Sequence, residues 1–379
     1  MNQDVAALPE AARLMACLCE IPSPSRHEQA IAEAVKAELA ELGMEITEDD
    51  AGERIPAGCN NITARLAPTA EGTPLLFCAH LDTVPVDGDI EVVLTEDGNL
   101  TNANPTILGA DNKAAVAAML TAVRRIVTEG HPHAGIELLF TPCEELSLLG
   151  ATAYDASGLQ AELGFVYDST GEIGDIVTSS PSCTRIAATF VGRPAHAGIC
   201  PEEGRSAIVA ASAAVMAMQL GRIDEGTTAN VGLVEGGDAV NVVPAECTIT
   251  CETRSSDPET HETQITAMLD AITWAATEHE CDVEIRVDPK YHGYVLKATD
   301  PAVVAAEAAF TRLGIPTRHV HSGGGADVNA LRVKGVTCVN LCNEMREIHT
   351  ADEFITPEAV EAMVDVTLAL VEGALGQRI

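Results

Sequence analysis

The chain has 379 residues, and 46% of them are hydrophobic, which is enough for a sizeable core and excludes a wholly disordered protein. It carries 22 Lys and Arg against 57 Asp and Glu, a formal net charge of −35 at pH 7. So negative a surface repels phosphate groups, which argues against nucleic acids and anionic membranes as partners. The charge is compatible with binding cations.

Neither a membrane anchor nor a secretory signal is visible. The longest uncharged apolar run, Ala207 to Leu220, is too short to cross a bilayer, and acidic residues near the N-terminus do not match a signal peptide. None of the twelve cysteines has C-x-x-C spacing, and several lie in apolar runs, which is typical of reduced, buried thiols. The sequence therefore predicts a cytoplasmic protein without a membrane partner.

The first half of the chain alternates helical and strand-like patterns. Two helices come first, one from Val5 to Cys19 and one from just after Ser25 to about Leu42. The further predictions, in chain order, are a strand at 74–79, a helix at 112–128, a strand at 136–141, a short helix at 146–154 and a strand at 163–167. This alternation predicts an α/β fold with a largely parallel sheet and helices on both faces.

The order of elements changes near Ser182. The predictions there are a strand at 185–191, a helix at 205–220, strands at 230–234 and 245–252, a helix at 258–279 and a strand at 283–287. This β-α-β-β-α-β order is typical of a small open sheet with helices on one face. The α/β pattern then resumes with a helix at 301–313, a strand at 336–341 and a helix at 357–373. We expect one α/β domain, residues 1–183 and 294–379, interrupted by an inserted α+β domain, residues 184–293.

Residues of the types that bind metal ions follow the predicted strands. The candidates are His80 and Asp82, Asp111, the pair Glu144 and Glu145, Asp168 and, much later, His349. Active sites of open α/β sheets form outside the carboxyl ends of the strands, so we expect these side chains to meet there.

The mixture of imidazoles and carboxylates suits zinc, cobalt or manganese. A carboxylate such as Asp111 can bridge two metal ions, and two close ions can bind a hydroxide and clamp a carbonyl oxygen, as amide hydrolysis requires. One carboxylate must then stay off the metals as general base, and the neighbours Glu144 and Glu145 could divide these roles. Asp82 can orient His80.

The ordered motifs resemble the M20 family of dinuclear zinc peptidases, with the greatest likeness to its peptidase T-like (tripeptide aminopeptidase-like) branch. The likeness spans nearly the whole chain. The matching segments are Ala79–Pro85, Gly109–Lys113, Thr141–Glu145, Asp168–Gly171, Gly192–Gly198, Asn241–Pro244, Arg254–Ser255, Gly323–Asp327 and His349–Glu353.

The resemblance implies a zinc-exopeptidase-like mixed sheet flanked by helices. It also implies two metal positions, zinc in the family, that share one carboxylate. One ion would be held by His80, Asp168 and the bridging Asp111, and the other by Asp111, Glu145 and His349. Glu144 would be the general base, Asp82 would orient His80, and a non-proline cis peptide would follow Asp111.

The resemblance also implies that the inserted domain is a lid and dimerisation domain, so that the protein is a homodimer. His196 matches a lid histidine that stabilises the oxyanion of the reaction, often in the partner subunit's active site. Asn241, Arg254 and Gly324 match positions that contact substrate. Arg254 could hold a peptide carboxylate, and Gly324 has no side chain to block close approach.

The leading hypothesis is a metal-dependent exopeptidase that hydrolyses short peptides, as a tripeptide aminopeptidase does, through a metal-bridging water activated by Glu144. A carboxypeptidase or an N-acyl-amino-acid amidohydrolase would use the same site, and no residue that binds a free amino group can be identified. A non-catalytic peptide-binding dimer is the alternative outside the enzymes. The charged segment 343–347 departs from the family pattern and bears on pocket specificity.

Overall fold

The computed structural model describes residues 3–376. These residues form two compact units. The first contains the chain up to Thr178, Leu296–Ser322 and the chain from Ala326 onward, and the second contains Ser179–Val295 together with Gly323–Gly325. The three glycines therefore belong to the second unit, although the sequence analysis assigned them to the α/β domain. Within residues 3–376, no helix combines the length and the apolar character that crossing a membrane requires.

The helices and strands follow the chain as follows. The α-helices are α1 (Gln3–Ala6), α2 (Glu10–Cys19), α3 (Gln29–Glu41), α4 (Ala51–Arg54), α5 (Ala110–Glu129), α6 (Leu149–Ala153), α7 (Ala207–Ala217), α8 (Pro258–Glu278), α9 (Pro301–Leu313), α10 (Asp327–Val333) and α11 (Pro357–Gly373). The strands are β1 (Glu45–Glu48), β2 (Ile62–Leu66), β3 (Leu75–His80), β4 (Val92–Leu94), β5 (Leu100–Asn102), β6 (Ile136–Thr141), β7 (Leu163–Tyr167), β8 (Asp175–Ser180), β9 (Ser182–Val191), β10 (Gly221–Arg222), β11 (Thr227–Gly236), β12 (Glu246–Ser255), β13 (Asp282–Tyr291), β14 (Tyr294–Val295), β15 (Arg318–His321) and β16 (Cys338–Leu341).

The first unit is built on a mixed sheet with the strand order β1-β2-β6-β3-β7-β16-β8. The four central strands are parallel, whereas β1, β2 and β8 run antiparallel to their neighbours. Every residue of β3, β6, β7 and β16 is buried, as expected for strands that have helices on both faces. The prediction of an α/β fold with a mixed sheet flanked by helices is confirmed, although the antiparallel strands β1, β2 and β8 were not themselves predicted.

The parallel strands end at one edge of the sheet. In the pairing register, His80 at the end of β3 lies opposite Thr141 at the end of β6, and Leu341 at the end of β16 lies opposite Tyr167 at the end of β7. The loops that leave these strands are therefore neighbours. This edge is where the sequence places the metal-type ligands.

The second unit is a five-stranded antiparallel sheet with the order β10-β11-β12-β9-β13. Helices α7 and α8 pack on each other and on the sheet. The core of the unit lies between them and includes Phe190, Ile249, Ala211 and Ile272, each at most 1% exposed. The two helices begin at residues whose side chains cap them: Ser206 accepts from Val209 N–H, and Asp257 accepts from Thr260 N–H.

Two sequence expectations differ from the fold in detail. The helix expected from Val5 to Cys19 is two helices, because Pro9 lacks an N–H and stands as the N-cap of α2. The helix expected directly after Ser25 begins at Gln29, and residues 23–28 form a loop instead. Ser23 Oγ donates to Leu81 O at 2.8 Å in that loop, which fixes it beside the end of β3.

Candidate metal centre

The chain brings five of the predicted ligands together at the carboxyl edge of the first unit's sheet. His80 ends β3, Asp168 directly follows β7, and Glu145 lies in the loop after β6. Donor atoms of His80, Asp111 and Asp168 lie within 4.8 Å of one another, and so do those of Asp111, Glu145 and His349. Two possible metal positions therefore share Asp111.

Asp111 lies between the two histidines. Its Oδ1 is 3.2 Å from His80 Nε2, and its Oδ2 is 3.2 Å from His349 Nε2. Each carboxylate oxygen thus faces a different imidazole. Asp168 Oδ1 lies 3.8 Å from His80 Nε2, and Glu145 Oε1 lies 2.9 Å from His349 Nε2. This is the arrangement expected of a carboxylate that bridges two ions.

The local backbone at these ligands is irregular. The peptide between Asp111 and Asn112 is cis, as the resemblance implies. Asp111 is the second residue of α5 but has a non-helical ψ of 104°, so its side chain is not on the regular helix surface. His349 has a φ of 65°, in the left-handed region that non-glycine residues rarely adopt.

Asp82 contacts His80 mainly through its backbone. His80 Nδ1 donates to the Asp82 carbonyl at 2.8 Å, while the Asp82 carboxylate is 3.6 Å away. Because that bond occupies Nδ1, Nε2 is the ring nitrogen that faces Asp111 and Asp168. The carboxylate of Asp82 instead accepts from Glu144 N–H at 2.8 Å, from Glu145 N–H at 3.2 Å and from Ser25 Oγ at 2.7 Å. Asp82 therefore positions both glutamates as well as the imidazole.

Two further polar side chains fix the ligand loops. Asn340 on β16 accepts from Asp168 N–H at 2.9 Å and donates to the Asp168 carbonyl at 2.7 Å. Glu28, fully buried, accepts from the backbone N–H of Cys143 at 3.1 Å and from Gly58 N–H at 2.6 Å. Sequence reasoning missed both residues. Glu28 contacts a residue 115 positions away, and its only local signal is its place in an apparent helix start.

The charged segment 343–347 has a structural use. Arg346 forms an ion pair with Glu172 at 2.6 Å and donates to the Gly171 carbonyl at 3.1 Å, and Glu344 N–H donates to the same carbonyl. Gly171 and Glu172 follow Asp168 closely in the chain. Arg346 therefore ties the loop that carries Asp168 to the segment that leads to His349.

The cluster has more buried acid than base. Burial, followed by the charge of Asp168, raises the pKa of Glu144 well above its usual value, and burial, followed by nearby carboxylates, does the same for Asp168. Burial also opposes ionisation of Asp111, but hydrogen bonds from His349 and His80 outweigh it and hold the pKa of Asp111 well below its usual value. A divalent cation bound here would supply the positive charge that this arrangement lacks.

The donor set fits such an ion. Mixed imidazole nitrogens and carboxylate oxygens are the ligands of zinc, cobalt and manganese, and each possible position has three of them. His80 already has its second ring nitrogen bonded to a carbonyl, as metal-binding histidines usually do. By contrast, the thiol of Cys143 is no candidate ligand, because burial and its hydrogen bond to Glu28 raise its pKa strongly.

The four candidate substrate residues all lie in the second unit. His196 is exposed, its Nδ1 accepts from Gly198 N–H at 3.2 Å, and the next residue, Ala197, donates its N–H to the Asn241 carbonyl at 2.9 Å. Arg254 forms an ion pair with Glu252 at 3.0 Å and donates to the Gly323 carbonyl at 3.2 Å. Gly324 accepts from Ser180 Oγ at 2.9 Å. The unit thus brings His196 next to Asn241 and Arg254 next to the glycine run.

Comparison with known proteins gives one family and near relatives. The model of "Peptidase family M20/M25/M40" matches residues 76–373. The Bacillus subtilis (strain 168) protein YqjE is 36% identical over 94% of this chain and 96% of its own. A Staphylococcus aureus tripeptidase structure has a TM-score of 0.91 at 32% identity, covering 96% of this chain and 97% of that one. The aminopeptidase PepT of Bacillus cereus has a TM-score of 0.87 at 33% identity, with 99% of both chains covered.

The ion pairs of His349 predict that the stability of the metal-free protein, measured in the presence of a chelator, depends on pH. Hydrogen bonds to Asp111 and Glu145 raise the pKa of His349 to about 10, against an ordinary value of 6.5. Between these two values the folded chain holds a proton that the unfolded chain has lost, so this contribution to stability falls as the pH rises through that window. We expect the urea midpoint in EDTA to fall from pH 7 to pH 10 less steeply in His349→Ala than in the wild type. If the urea midpoint fell equally steeply with pH in both proteins, the result would contradict the ion pairs of His349.

Proposed function

The chain belongs to peptidase family M20/M25/M40, and on that premise we propose that it is a dinuclear-metal exopeptidase that removes the N-terminal residue from short peptides, tripeptides in particular. As an M20 peptidase the chain is a hydrolase. The observation that carries the proposal is the Asp111 carboxylate between His80 and His349, with one oxygen 3.2 Å from each imidazole. Similarity to a tripeptidase and an aminopeptidase over nearly the whole chain supports the choice of substrate.

We assign His80, Asp111 and Asp168 to one metal position and Asp111, Glu145 and His349 to the other. The family is metal-dependent, and zinc is the ion we propose, with cobalt or manganese as substitutes that the same donors accept. When bound, two such ions polarise the scissile carbonyl and make a water molecule more acidic. The chain contributes the fixed donors, which the strand ends and Asn340 hold in place.

Glu144 is the proposed general base. It is 8% exposed, its N–H is held by Asp82, and burial raises the pKa of its carboxyl group in the metal-free cluster. With both metal positions filled, Glu144 would be ionised and would accept a proton from the attacking water. Glu144 then donates that proton to the leaving amine nitrogen, so that the acid and base steps use one side chain.

We further propose that the second unit supplies the substrate contacts. Because His196 Nδ1 accepts a hydrogen bond from Gly198, the neutral ring carries its proton on Nε2 and can donate to a developing oxyanion. Asn241 is exposed beside it and offers an amide. Arg254, with one nitrogen bound to Gly323, would bind the carboxylate of the peptide next to Gly324, where no side chain obstructs the backbone.

Homodimerisation through the second unit is also proposed. Strand β10 covers β11 only at Thr228 and Ala229, and along the rest of its outer edge no other strand of residues 3–376 pairs with β11. Leu233 and Val234 on that stretch are 59% and 60% exposed. Helix α7, which packs against β11, contains no charged residue and exposes Val209 and Met216. An open edge beside an apolar helix is suited to pairing with a second copy.

The location proposed is the cytoplasm. Nine of the twelve cysteines are free and buried, which is the usual state of thiols in a reducing compartment.

The substrate assignment is tested with a matched peptide pair. One tripeptide with a free amino group is compared with its N-acetylated form, with zinc, cobalt or manganese added and with chelator as control. We expect release of the N-terminal residue from the free form only, and loss of that activity on chelation. Cleavage of the acetylated peptide would instead indicate the carboxypeptidase or amidohydrolase alternative, and no cleavage of any peptide would favour a binding protein.

Replacing the proposed base separates chemistry from metal binding. Glu144→Gln should lower kcat by about 100-fold or more, because general base catalysis contributes roughly 10²–10⁴-fold. Elemental analysis should find the same metal content as in the wild type. Activity above about a tenth of the wild-type rate would remove Glu144 from the role.

The dimer is tested by light scattering. The wild type should have about twice the chain mass of 39.6 kDa. Leu233→Glu places a charge on the open edge of β11 and should yield the monomer. Val287→Glu, on the opposite edge strand β13 and also exposed, is the matched control and should remain dimeric. A wild-type monomer, or dissociation by the control variant alone, contradicts this interface.

A further inference from the structure

A carboxylate not yet given a role lies directly behind the shared ligand. Glu353 is 1% exposed and follows His349 by four residues. Its Oε2 accepts from Gly109 N–H at 2.8 Å, and its Oε1 accepts from Asp111 N–H at 3.0 Å. One side chain thus holds the backbone at Asp111 and at a second point two residues earlier.

Helix α5 needs this partner because it has no cap of its own. The first N–H groups of a helix lack acceptors within the helix, and a side chain at the N-cap usually supplies one. The N-cap of α5 is Gly109, which has no side chain, and its φ of 77° disfavours any other residue there. Glu353 supplies the missing acceptor, to the N–H of Asp111, from 242 residues away.

Glu353 is itself anchored. Its N–H donates to the Thr350 carbonyl at 3.3 Å, and its own carbonyl accepts from Thr101 Oγ1 at 3.2 Å. The residues from His349 to Glu353 form one short loop, so the side chain that holds Asp111 comes from the loop that carries His349. The distance from Asp111 Oδ2 to His349 Nε2 therefore depends on the Glu353 hydrogen bonds at one end and on this loop at the other.

We propose that Glu353 is a positioning residue that holds Asp111 for both metal positions at once. The inference rests on the dinuclear site of the proposed function. Because Asp111 presents one oxygen to each position, displacement of its backbone moves a ligand of both ions. Loss of Glu353 should therefore weaken the binding of both ions, whereas loss of His349 should weaken the binding of only the ion that it contacts.

The simpler alternative is that Glu353 only caps a helix. In that case its replacement would lower stability and leave metal affinity unchanged in the folded protein. Glu137 provides the matched control, because it is another buried carboxylate of the first unit that accepts from two backbone groups, Gln160 N–H at 2.9 Å and Ala161 N–H at 2.7 Å. It lies on β6, at a position whose neighbours are not metal-type ligands.

The experiment measures zinc retention by the full-length chain. Wild type, Glu353→Gln, Glu137→Gln and His349→Ala are loaded with zinc, checked for folding by circular dichroism and titrated with a competing chelator. Replacement of a residue that supports a metal ligand typically lowers metal affinity by about 10–100-fold. We expect such a loss for both ions in Glu353→Gln, for one ion in His349→Ala, and wild-type affinity in Glu137→Gln.

The outcomes are distinct. Wild-type affinity for both ions in folded Glu353→Gln, or a loss confined to one ion, overturns the inference and leaves the dinuclear site intact. If Glu353→Gln does not fold, Glu353→Asp replaces it, because the shorter side chain keeps the negative charge. We again expect weaker binding of both ions. Unchanged affinity in Glu353→Asp would count against the inference. A wild-type chain that holds fewer than two ions contradicts the proposed function itself and removes the inference with it.

Discussion

The contact on which the site depends is the one between Asp111 and two histidines. A buried carboxylate is costly unless positive groups face it, and here His80 and His349 each lie 3.2 Å from one of its oxygens. The histidines come from opposite ends of the first unit's sequence, residues 80 and 349. The imidazoles therefore face this carboxylate only where the parallel strands have the correct neighbours. The sheet order and the charge balance of the site are thus parts of one constraint.

Carboxylates also hold the loops around that contact. Glu28, Asp82 and Glu353 are buried, and each accepts hydrogen bonds from backbone N–H groups next to, or of, the acidic residues of the cluster. Between them, Glu28 and Asp82 hold the successive N–H groups of Cys143, Glu144 and Glu145. Backbone amides stabilise these anions without adding side chains that would compete for the metal positions. These buried carboxylates therefore help to fix the loops that carry the acidic residues of the site.

The sequence predicts the strand ends, and the candidate metal-type residues beside them, because both depend on local pattern. His80, Asp111, Glu145 and Asp168 stand directly after apolar runs or at a helix start, and the parallel edge unites them. Glu353 and Glu28 were not assigned, because their partners lie 242 and 115 residues away and no local pattern reports such a contact. The antiparallel strand β1 was not predicted either, because it is short and mostly exposed and so lacks an apolar run.

The same geometry links metal binding to stability. Burial and mutual repulsion raise the pKa values of Glu144 and Asp168 well above normal, so ionisation of these two carboxyl groups opposes folding of the metal-free chain at neutral pH. A bound dication would make the contribution of these carboxylates to stability favourable, because it favours their ionised form in the folded chain only. Any ion that binds only the folded chain adds about 4 kcal/mol of stability at a thousand times its Kd. An excess of buried acid, unfavourable by itself, is therefore a feature that would favour a divalent cation at this site over an empty one.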